Sequence, residues 1–440
     1  MPNTRWLAGL ILSLICLTVQ AQNSNQSPFS RLGYGNLRDG GAAAQWALGG
    51  TGYGISGYQQ INLLNPAFGT DLDFPIFNVN GAGNFTSISG DNFEYKQSYS
   101  NLNSVAMAFP VKKTFFFQFG LRPFSAINYS LDTKVQMDTN TIDANYAGSG
   151  GLKDAYLAVA YNLYNKADSN IFAVALQFDH YFGPLQQERT LYTDVLDNGY
   201  GIKERRIANM QGSALSAALS YRFFPIKDKN FKINLGLVYQ PEITVKGRQE
   251  VFAFTFLRNF GGNELGKDTI QYLRADNNSA SIPSKLGLGI GFEVKDKLYF
   301  GVDYTKQSWS TFNQDFEVDA LDGTFRDYSK VSFGIQYTPS RNILFNEPIW
   351  NYISYSAGLW SATGYVDYNG AAINEFGTSF GLRLPFRRSR STSALQIGYQ
   401  YVVRGSVADN LIQEKSNRII FGLSLSPNFI DRWFYKRKYD

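Results

Sequence analysis

The stretch LGLGIGFEV at residues 286–294 decides the fold, because large apolar side chains stand at every second position. Glycines and Glu293 fill the positions between them. Successive side chains of a β-strand point to opposite faces, so the stretch predicts a strand with one apolar face and one small or polar face. Lipid on the outside and a polar lumen on the inside produce this pattern in a membrane β-barrel.

The same alternation recurs along most of the chain, for example at residues 231–240, 395–401 and 419–426. Aromatic residues make up 16% of the chain, which fits aromatic girdles at both membrane interfaces. A soluble secreted sandwich or propeller is the alternative. It is disfavoured because strands in globular proteins are usually about 5–6 residues long, whereas the predicted strands reach about ten residues or more, as barrel strands do.

Fourteen strand-like runs, an even number as bacterial barrels require, can be placed. They lie at residues 75–88, 104–111, 114–131, 152–164, 171–191, 202–224, 231–256, 280–294, 298–312, 328–339, 350–360, 373–385, 393–404 and 416–426. Short connections, as at 112–113, alternate with long ones, as at 257–279. Short periplasmic turns and long extracellular loops give this signature, which predicts that both termini are periplasmic.

The first residues predict a secretory signal peptide, residues 1–21, with Arg5, an uncharged apolar run and a small-residue cleavage site. The run is shorter than the ~20 residues of a spanning helix. Cys16, the single cysteine, lies within it, so we expect a mature chain without disulfides. The formal net charge of +5 becomes +4 without Arg5, which indicates no nucleic-acid partner.

The lumen side of the strands carries mostly small or amide residues, with isolated charges such as Arg122, Glu293, Asp303 and Arg383. A wide aqueous pore would present more charge, so a narrow or plugged interior is expected. The glycine-rich segment 33–57 is the candidate plug, since glycine permits close packing and unusual backbone angles. A disordered periplasmic leader is the alternative for this segment.

Two short regions resemble FadL-type outer-membrane transporters for long-chain fatty acids. One is GGTGYG at residues 49–54 followed by LNPAF at 64–68; the other opens with IPSK at 282–285 and continues through VDYT at 302–305 to WSTF at 309–312. The resemblance implies a 14-stranded antiparallel transmembrane β-barrel, an all-β fold, with an N-terminal plug in the lumen and a gap in the wall that passes hydrophobic molecules. The family also includes accessory barrels, such as the PorV-like shuttle of type IX secretion.

The predicted site residues fall into groups. The plug group is Gly49, Gly50, Gly52, Gly54, Asn65, Pro66 and Ala67, and the family-motif group is Pro283, Asp303, Trp309, Ser310 and Phe312. The predicted domains are a plug segment at 22–74, a barrel at 75–426 and a basic aromatic tail at 427–440. Many outer-membrane barrels end on their last strand, so the tail is a predicted periplasmic docking element through Trp433, Phe434, Lys436, Arg437 and Lys438.

Pro123 lies inside the third predicted strand. Proline cannot donate to the ladder, and a closed barrel has no edge, so a bulge or gap is expected there. FadL-type barrels are expected to have an inward kink in this strand, which makes Gly120, Arg122, Pro123 and Phe124 the candidate lateral opening. The alternative is that the strand has already left the membrane at this point, as at Pro184 and Pro241.

His180 is the single histidine, so metal sites built from histidine clusters are excluded. Outer-membrane lipid hydrolases use Ser and His on the lipid-facing wall, but no matching serine can be identified from the sequence. We therefore predict a non-enzyme with no catalytic residues, no metal and no cofactor.

The leading functional prediction is an outer-membrane channel for passive uptake of hydrophobic, fatty-acid-like small molecules through a gap in the barrel wall. The predicted partners are outer-membrane lipid and a hydrophobic ligand. The alternative is a structural or accessory barrel of an outer-membrane secretion or assembly complex, with other envelope proteins as partners. An apolar pocket between plug and wall would favour the channel, and a space filled by side chains would favour the accessory barrel.

Overall fold

A computed structural model describes residues 27–56, 60–90, 93–111, 114–137, 140–165, 170–192, 199–225, 230–258, 263–295, 297–316, 324–340, 348–368, 370–386, 393–409 and 411–426. The predicted signal peptide and the basic tail lie outside these residues. Helical structure is confined to α1 (Ala43–Trp46) and short 3-10 turns at Pro28–Arg31, Pro66–Asp71, Trp309–Thr311, Ile349–Asn351 and Val407–Asp409 within the described chain. None of the described helices is long and apolar enough to cross a membrane.

The described strands, numbered in chain order, are β1 (Asn36–Leu37), β2 (Ile76–Ser89), β3 (Glu94–Val111), β4 (Phe115–Pro123), β5 (Ser125–Met137), β6 (Asn140–Gly150), β7 (Lys153–Asn165), β8 (Ile171–Tyr192), β9 (Gly199–Phe223), β10 (Phe231–Gln240), β11 (Ile243–Arg258), β12 (Glu264–Ile282), β13 (Lys285–Val294), β14 (Leu298–Gln307), β15 (Thr324–Phe325), β16 (Tyr328–Tyr337), β17 (Ser354–Ala362), β18 (Val366–Tyr368), β19 (Ala371–Ala372), β20 (Glu375–Pro385), β21 (Ala394–Arg404) and β22 (Gln413–Leu425).

Fourteen of these strands form a closed antiparallel barrel, so the predicted fold is confirmed. The order around the wall is β2, β3, β4, β7, β8, β9, β10, β13, β14, β16, β17, β20, β21 and β22. The seam closes between β22 and β2, where Phe77 pairs with Leu425. The predicted alternation is also present: Leu288 and Ile290 are 39% and 46% exposed on the outer face of β13.

Several predicted strands are interrupted at a similar level of the wall, whereas the sequence analysis expected a bulge or gap only at Pro123. The predicted strand 114–131 is divided into β4 and β5 at Phe124, and the predicted strand 231–256 is divided into β10 and β11 at residues 241–242. In β8, Gly183 has a φ of 154° next to Pro184. Proline cannot donate to a ladder, so the pairing changes partners at these positions.

Beyond the breaks, long hairpins extend the wall on one side. Strand β6 pairs with β5 on one side and with residues 185–192 of β8 on the other. Strand β11 pairs with residues 199–211 of β9, and β12 pairs with β11. The predicted loop at 257–279 is therefore wrong, because β12 occupies most of it, and β6 and the first ten residues of β3 were also missed. Most of β12 is exposed on both faces, so it lacks the apolar alternation that marks a half-buried strand.

The N-terminal segment lies inside the barrel. Its strand β1 pairs with β5 through Asn36 and Ala126, and α1 packs against β20, β21 and β22. Tyr34, Leu48 and Leu63 of this segment are almost completely buried. The lumen is thus occupied by chain that precedes the first barrel strand, as the fold prediction required.

Candidate functional site

The wall has a gap next to Pro123. The ladder between β3 and β4 runs from Val111 paired with Phe115 to Val105 paired with Leu121. Past Phe124 the chain continues as β5, whose partners are β6 on one side and β1 of the N-terminal segment on the other. Among the described residues, the part of β3 before Ser104 is paired only with β2. The four predicted opening residues therefore lie where the β3–β4 ladder ends and the gap begins.

The backbone around Pro123 shows why the strand leaves the wall. The N–H groups of Phe124 and Ser125 both donate to the Leu152 carbonyl, at 2.9 and 3.0 Å. The Arg38 N–H of the N-terminal segment donates to the Phe124 carbonyl at 2.9 Å. These hydrogen bonds hold the backbone at the start of β5 toward the lumen. That a ligand passes through the gap at Gly120, Arg122, Pro123 and Phe124 remains a prediction.

Arg122 is a buried clamp inside the barrel. Its Nε lies 2.7 Å from Asp154 Oδ2, its Nη2 lies 3.5 Å from Asp179 Oδ1, and its Nη1 donates to the Leu63 carbonyl at 2.8 Å. Asp154 and Asp179 are 2% and 1% exposed. The guanidinium also lies over the Tyr156 ring, 4.6 Å from its centroid. One side chain thus joins β4, β7 and β8 to the N-terminal segment.

Asp303 joins the two regions that carry the family resemblance. Its Oδ2 accepts hydrogen bonds from the backbone N–H groups of Gly52 and Tyr53, at 2.5 and 2.7 Å. The carboxylate is buried on the lumen side of β14. A charged acceptor makes stronger hydrogen bonds than a neutral one, so this contact fixes the GGTGYG turn against the wall.

Asn65 connects the LNPAF motif to the same turn by hydrogen bonds. Its Nδ2 donates to the carbonyls of Tyr53 and Leu219, both at 3.0 Å, and its Oδ1 accepts from the Ala67 N–H at 3.1 Å. Pro66 opens the 3-10 turn that follows, where Ala67 is fully buried. Asn62, which the sequence prediction missed, donates from Nδ2 to the Gly52 carbonyl at 2.7 Å.

Glycines on the lumen face of the wall admit the backbone of the N-terminal segment. A Cβ on Gly236 would lie 1.7 Å from the Tyr53 carbonyl oxygen, and one on Gly291 would lie 2.3 Å from the Gly54 carbonyl oxygen. Conversely, Gly49 and Gly50 adopt φ angles of 69° and 83°, which favour glycine. The small lumen-side residues therefore reflect close backbone contact with the plug.

The remaining motif residues lie at the end of the lumen where the long hairpins extend the wall. Trp309 is fully buried, with its ring centroid 4.6 Å from that of Tyr365, and Phe312 lies 4.3 Å from Phe325 by the same measure. The Ser310 N–H and hydroxyl donate to Asp327 Oδ1 at 3.2 and 2.6 Å. The Pro283 carbonyl, at the break before β13, accepts from Gln307 Nε2 at 3.1 Å.

Cavities of about 140, 100 and 60 Å³ lie between the segment and the wall. The 140 Å³ cavity is lined by charged side chains, among them Arg38 and Arg418. The 100 Å³ cavity adjoins Pro123 and combines apolar residues such as Leu63 with Arg122 and Asp154. Burial raises the pKa of Asp39 at the border of both cavities, but the ion-paired Lys330 outweighs this and the pKa is lowered.

The structure places a serine beside His180, which sequence reasoning missed. Ser213 Oγ lies 2.9 Å from His180 Nδ1, because the two residues are paired between β8 and β9 on the outer face. No carboxylate hydrogen bonds this imidazole in the described part of the chain. Metal-binding groups of three or more His, Cys, Asp or Glu residues are likewise not found among the described residues.

The BamG family model matches residues 5–440 of the chain. No curated protein matches the sequence. Among solved structures, a FadL homologue from Pseudomonas aeruginosa is 12% identical with a TM-score of 0.57, covering 90% of this chain and 99% of its own. The toluene transporter TodX from P. putida is 15% identical with a TM-score of 0.56, covering 90% of this chain and 100% of its own.

A third structure, the CymD monoaromatic hydrocarbon channel, is 13% identical with a TM-score of 0.52 and covers 88% of this chain and 98% of its own. At these identities the likeness establishes the fold alone. The predicted resemblance to FadL-type barrels is confirmed.

Proposed function

The chain belongs to the BamG family, a FadL-like family, and from this premise we propose that it is an accessory barrel of the outer membrane, a structural subunit of a secretion or assembly complex. The observation that carries the proposal is the filled lumen. The N-terminal segment is fixed to the wall through Asp303, Asn65 and Arg122.

The sizes of the cavities support this function over free passage. A cavity of roughly 150 Å³ holds one benzene molecule, and the two cavities that border the wall gap measure only about 100 and 140 Å³. The lining of the 140 Å³ cavity is mixed, but it includes three arginines and several carboxylates. Covering these charges with hydrocarbon would cost free energy, which disfavours an apolar occupant. In the described conformation, the lumen is better suited to holding the barrel rigid than to conducting hydrocarbons.

Membership of the BamG family supports the proposed accessory role beside other envelope proteins. We propose that both termini are periplasmic, because the first and last barrel strands begin and end at the side of the barrel with the short turns. The basic tail residues Trp433, Phe434, Lys436, Arg437 and Lys438 lie outside the described residues, and we propose them as the periplasmic docking element.

The proposal predicts that the barrel is recovered in stoichiometric complexes from its own outer membrane. The measurement is native mass spectrometry of the tagged protein in mild detergent, which detects bound lipids and partner chains together. The variant Lys436→Gln/Arg437→Gln/Lys438→Gln should lose partners while the barrel stays folded. Depletion of the protein should lower the amounts of other outer-membrane barrels; a solitary barrel whose depletion leaves them unchanged would refute the accessory role.

The gap beside Pro123 favours a second candidate function, passive uptake of hydrophobic compounds. Two of the similar structures are a toluene transporter and a monoaromatic hydrocarbon channel. Apolar residues Leu37, Leu63 and Phe124 line the 100 Å³ cavity next to the gap. A small shift of the N-terminal segment would be required to admit a ligand.

Replacing Pro123 with threonine tests the uptake function. The new N–H can extend the ladder toward β3 and narrow the gap, so uptake of a radiolabelled fatty acid or of toluene should fall several-fold in whole cells. Pro184→Thr, at a break in β8 away from the gap, is the matched control and should leave uptake unchanged. Equal uptake by the Pro123 variant and the unmodified protein would end the lateral-opening hypothesis.

A further inference from the structure

Three arginines surround the 140 Å³ cavity from different parts of the fold. Arg38 follows β1 in the N-terminal segment, Arg404 ends β21, and Arg418 lies in β22. Arg404 Nη1 donates to Asn36 Oδ1, and its guanidinium lies 5.3 Å from the centroid of the Phe29 ring. The plug and the wall thus bring three cations, distant in sequence, to one cavity.

These cations form no direct ion pairs, although Glu414 interacts electrostatically with Arg404 and Arg418 at longer range. No ion pair involves Arg38, Arg404 or Arg418 in the described part of the chain. The Nε atoms of Arg38 and Arg418 are shielded from solvent and have no hydrogen-bond partner among the described residues. Burial lowers the pKa of the Arg38 guanidinium, and the nearby charge of Arg418 acts in the same direction.

The carboxylates of the cavity do not balance this charge. Glu414 accepts from Ser27 Oγ at 2.6 Å, and Glu375 accepts from Trp360 Nε1 at 2.9 Å. The Lys330–Asp39 ion pair is neutral as a unit. Three arginines and two glutamates therefore leave one net positive charge around the cavity. The arginines are partly buried, and withdrawing an unpaired charge from water costs free energy.

We propose that the 140 Å³ cavity is a binding site for a phosphate group, held by Arg38, Arg404 and Arg418. Guanidinium groups match phosphate oxygens in geometry and bind them through charge-assisted hydrogen bonds. The lining also offers neutral donors, including Tyr99, Asn84 and Asn103. These polar groups suit a headgroup or a free ion rather than an acyl chain.

The position of the cavity is compatible with two sources of phosphate. Tyr99, Asn101 and Asn103 of β3 border the cavity, and they lie in the part of β3 beyond the end of its ladder with β4. The site is therefore reachable from the gap in the wall, where a membrane phospholipid could place its headgroup. Free phosphate from the aqueous phase is the other source, and the experiment separates them.

The test measures the urea midpoint of the full barrel in detergent with inorganic phosphate, with short-chain phosphatidic acid, or with sodium chloride at equal ionic strength. A ligand that binds only the folded state raises stability in proportion to the logarithm of its concentration. Trp46 and Trp360 line the cavity and report binding through their fluorescence. A rise with both phosphate compounds indicates a free-phosphate site, and a rise with phosphatidic acid alone indicates a lipid headgroup.

Arg418→Gln should weaken phosphate binding at least tenfold, and Arg38→Gln should do the same. Arg326→Gln, which removes an exposed ion pair with Asp367, is the matched control and should bind as the unmodified protein does. If either cavity variant fails to fold, Arg418→Lys keeps a cation at the site and should retain part of the binding. The proposal is overturned if phosphate does not raise the urea midpoint of the unmodified protein. It is also overturned if phosphate raises the midpoint of both cavity variants as much as that of the unmodified protein.

Discussion

Gly236→Val is expected to prevent the N-terminal segment from seating in the barrel. The valine Cβ would lie 1.7 Å from the Tyr53 carbonyl oxygen, and the obstacle is backbone, so it cannot rotate away. Overpacking typically costs about 1–3 kcal/mol and more where the backbone must shift. We expect a loss at or above the upper end of this range in the free energy of unfolding, measured by urea titration in detergent micelles.

Protease accessibility of residues 27–56 provides the second measurement. The segment should be cleaved in the Gly236 variant and protected in the unmodified protein. Gly83→Val in β2 is the matched control, because its Cβ would meet no heavy atom closer than 3.8 Å, and valine suits a strand. A Gly236 variant with normal stability and a protected segment would show that the close contact is not needed.

Arg122→Met should be the most destabilising single change at the clamp. It leaves Asp154 and Asp179 buried without their cation, and breaking a buried ion pair from one side costs about 3–5 kcal/mol. Methionine keeps most of the side-chain volume, so the loss reports charge rather than packing. Urea titration of the folded barrel, read by its heat-modifiable mobility on gels, measures the effect.

Neutralising the two carboxylates separates charge from shape. The triple variant Arg122→Met/Asp154→Asn/Asp179→Asn should recover much of the lost free energy, because no buried charge is left unpaired. Asp276→Asn, at an exposed ion pair with Arg248 in the long hairpin, is the control and should change stability little. A triple variant as unstable as Arg122→Met would mean that the guanidinium acts mainly through the Leu63 carbonyl and the Tyr156 ring.

The sequence was sufficient to predict the barrel because lipid imposes a period of two on every strand that crosses it. It did not predict β6, β12 or the start of β3. Most of β12 is exposed on both faces, and a strand with water on both faces carries no apolar period. Pro123 was correctly identified as a position where the pairing must change, because a missing N–H has the same effect in any ladder.

The partners of the site residues were harder to foresee. Asp154 and Asp179 stand on the lumen side of their strands like many other polar residues, and only the register of β4, β7 and β8 brings them to Arg122. Ser213 was missed for the same reason, since its pairing with His180 depends on the register between β8 and β9. Alternation fixes the face of a residue but not its height in the wall.

The contact between the segment's backbone and the wall glycines has a consequence for the order of assembly. Gly236, Gly291 and Gly358 belong to strands far apart in the chain, yet each lies directly against the segment. A barrel that closed first would leave no path for a backbone to slide into such narrow clearances. We therefore expect the segment to act as an internal template around which the barrel folds, in position before β22 pairs with β2.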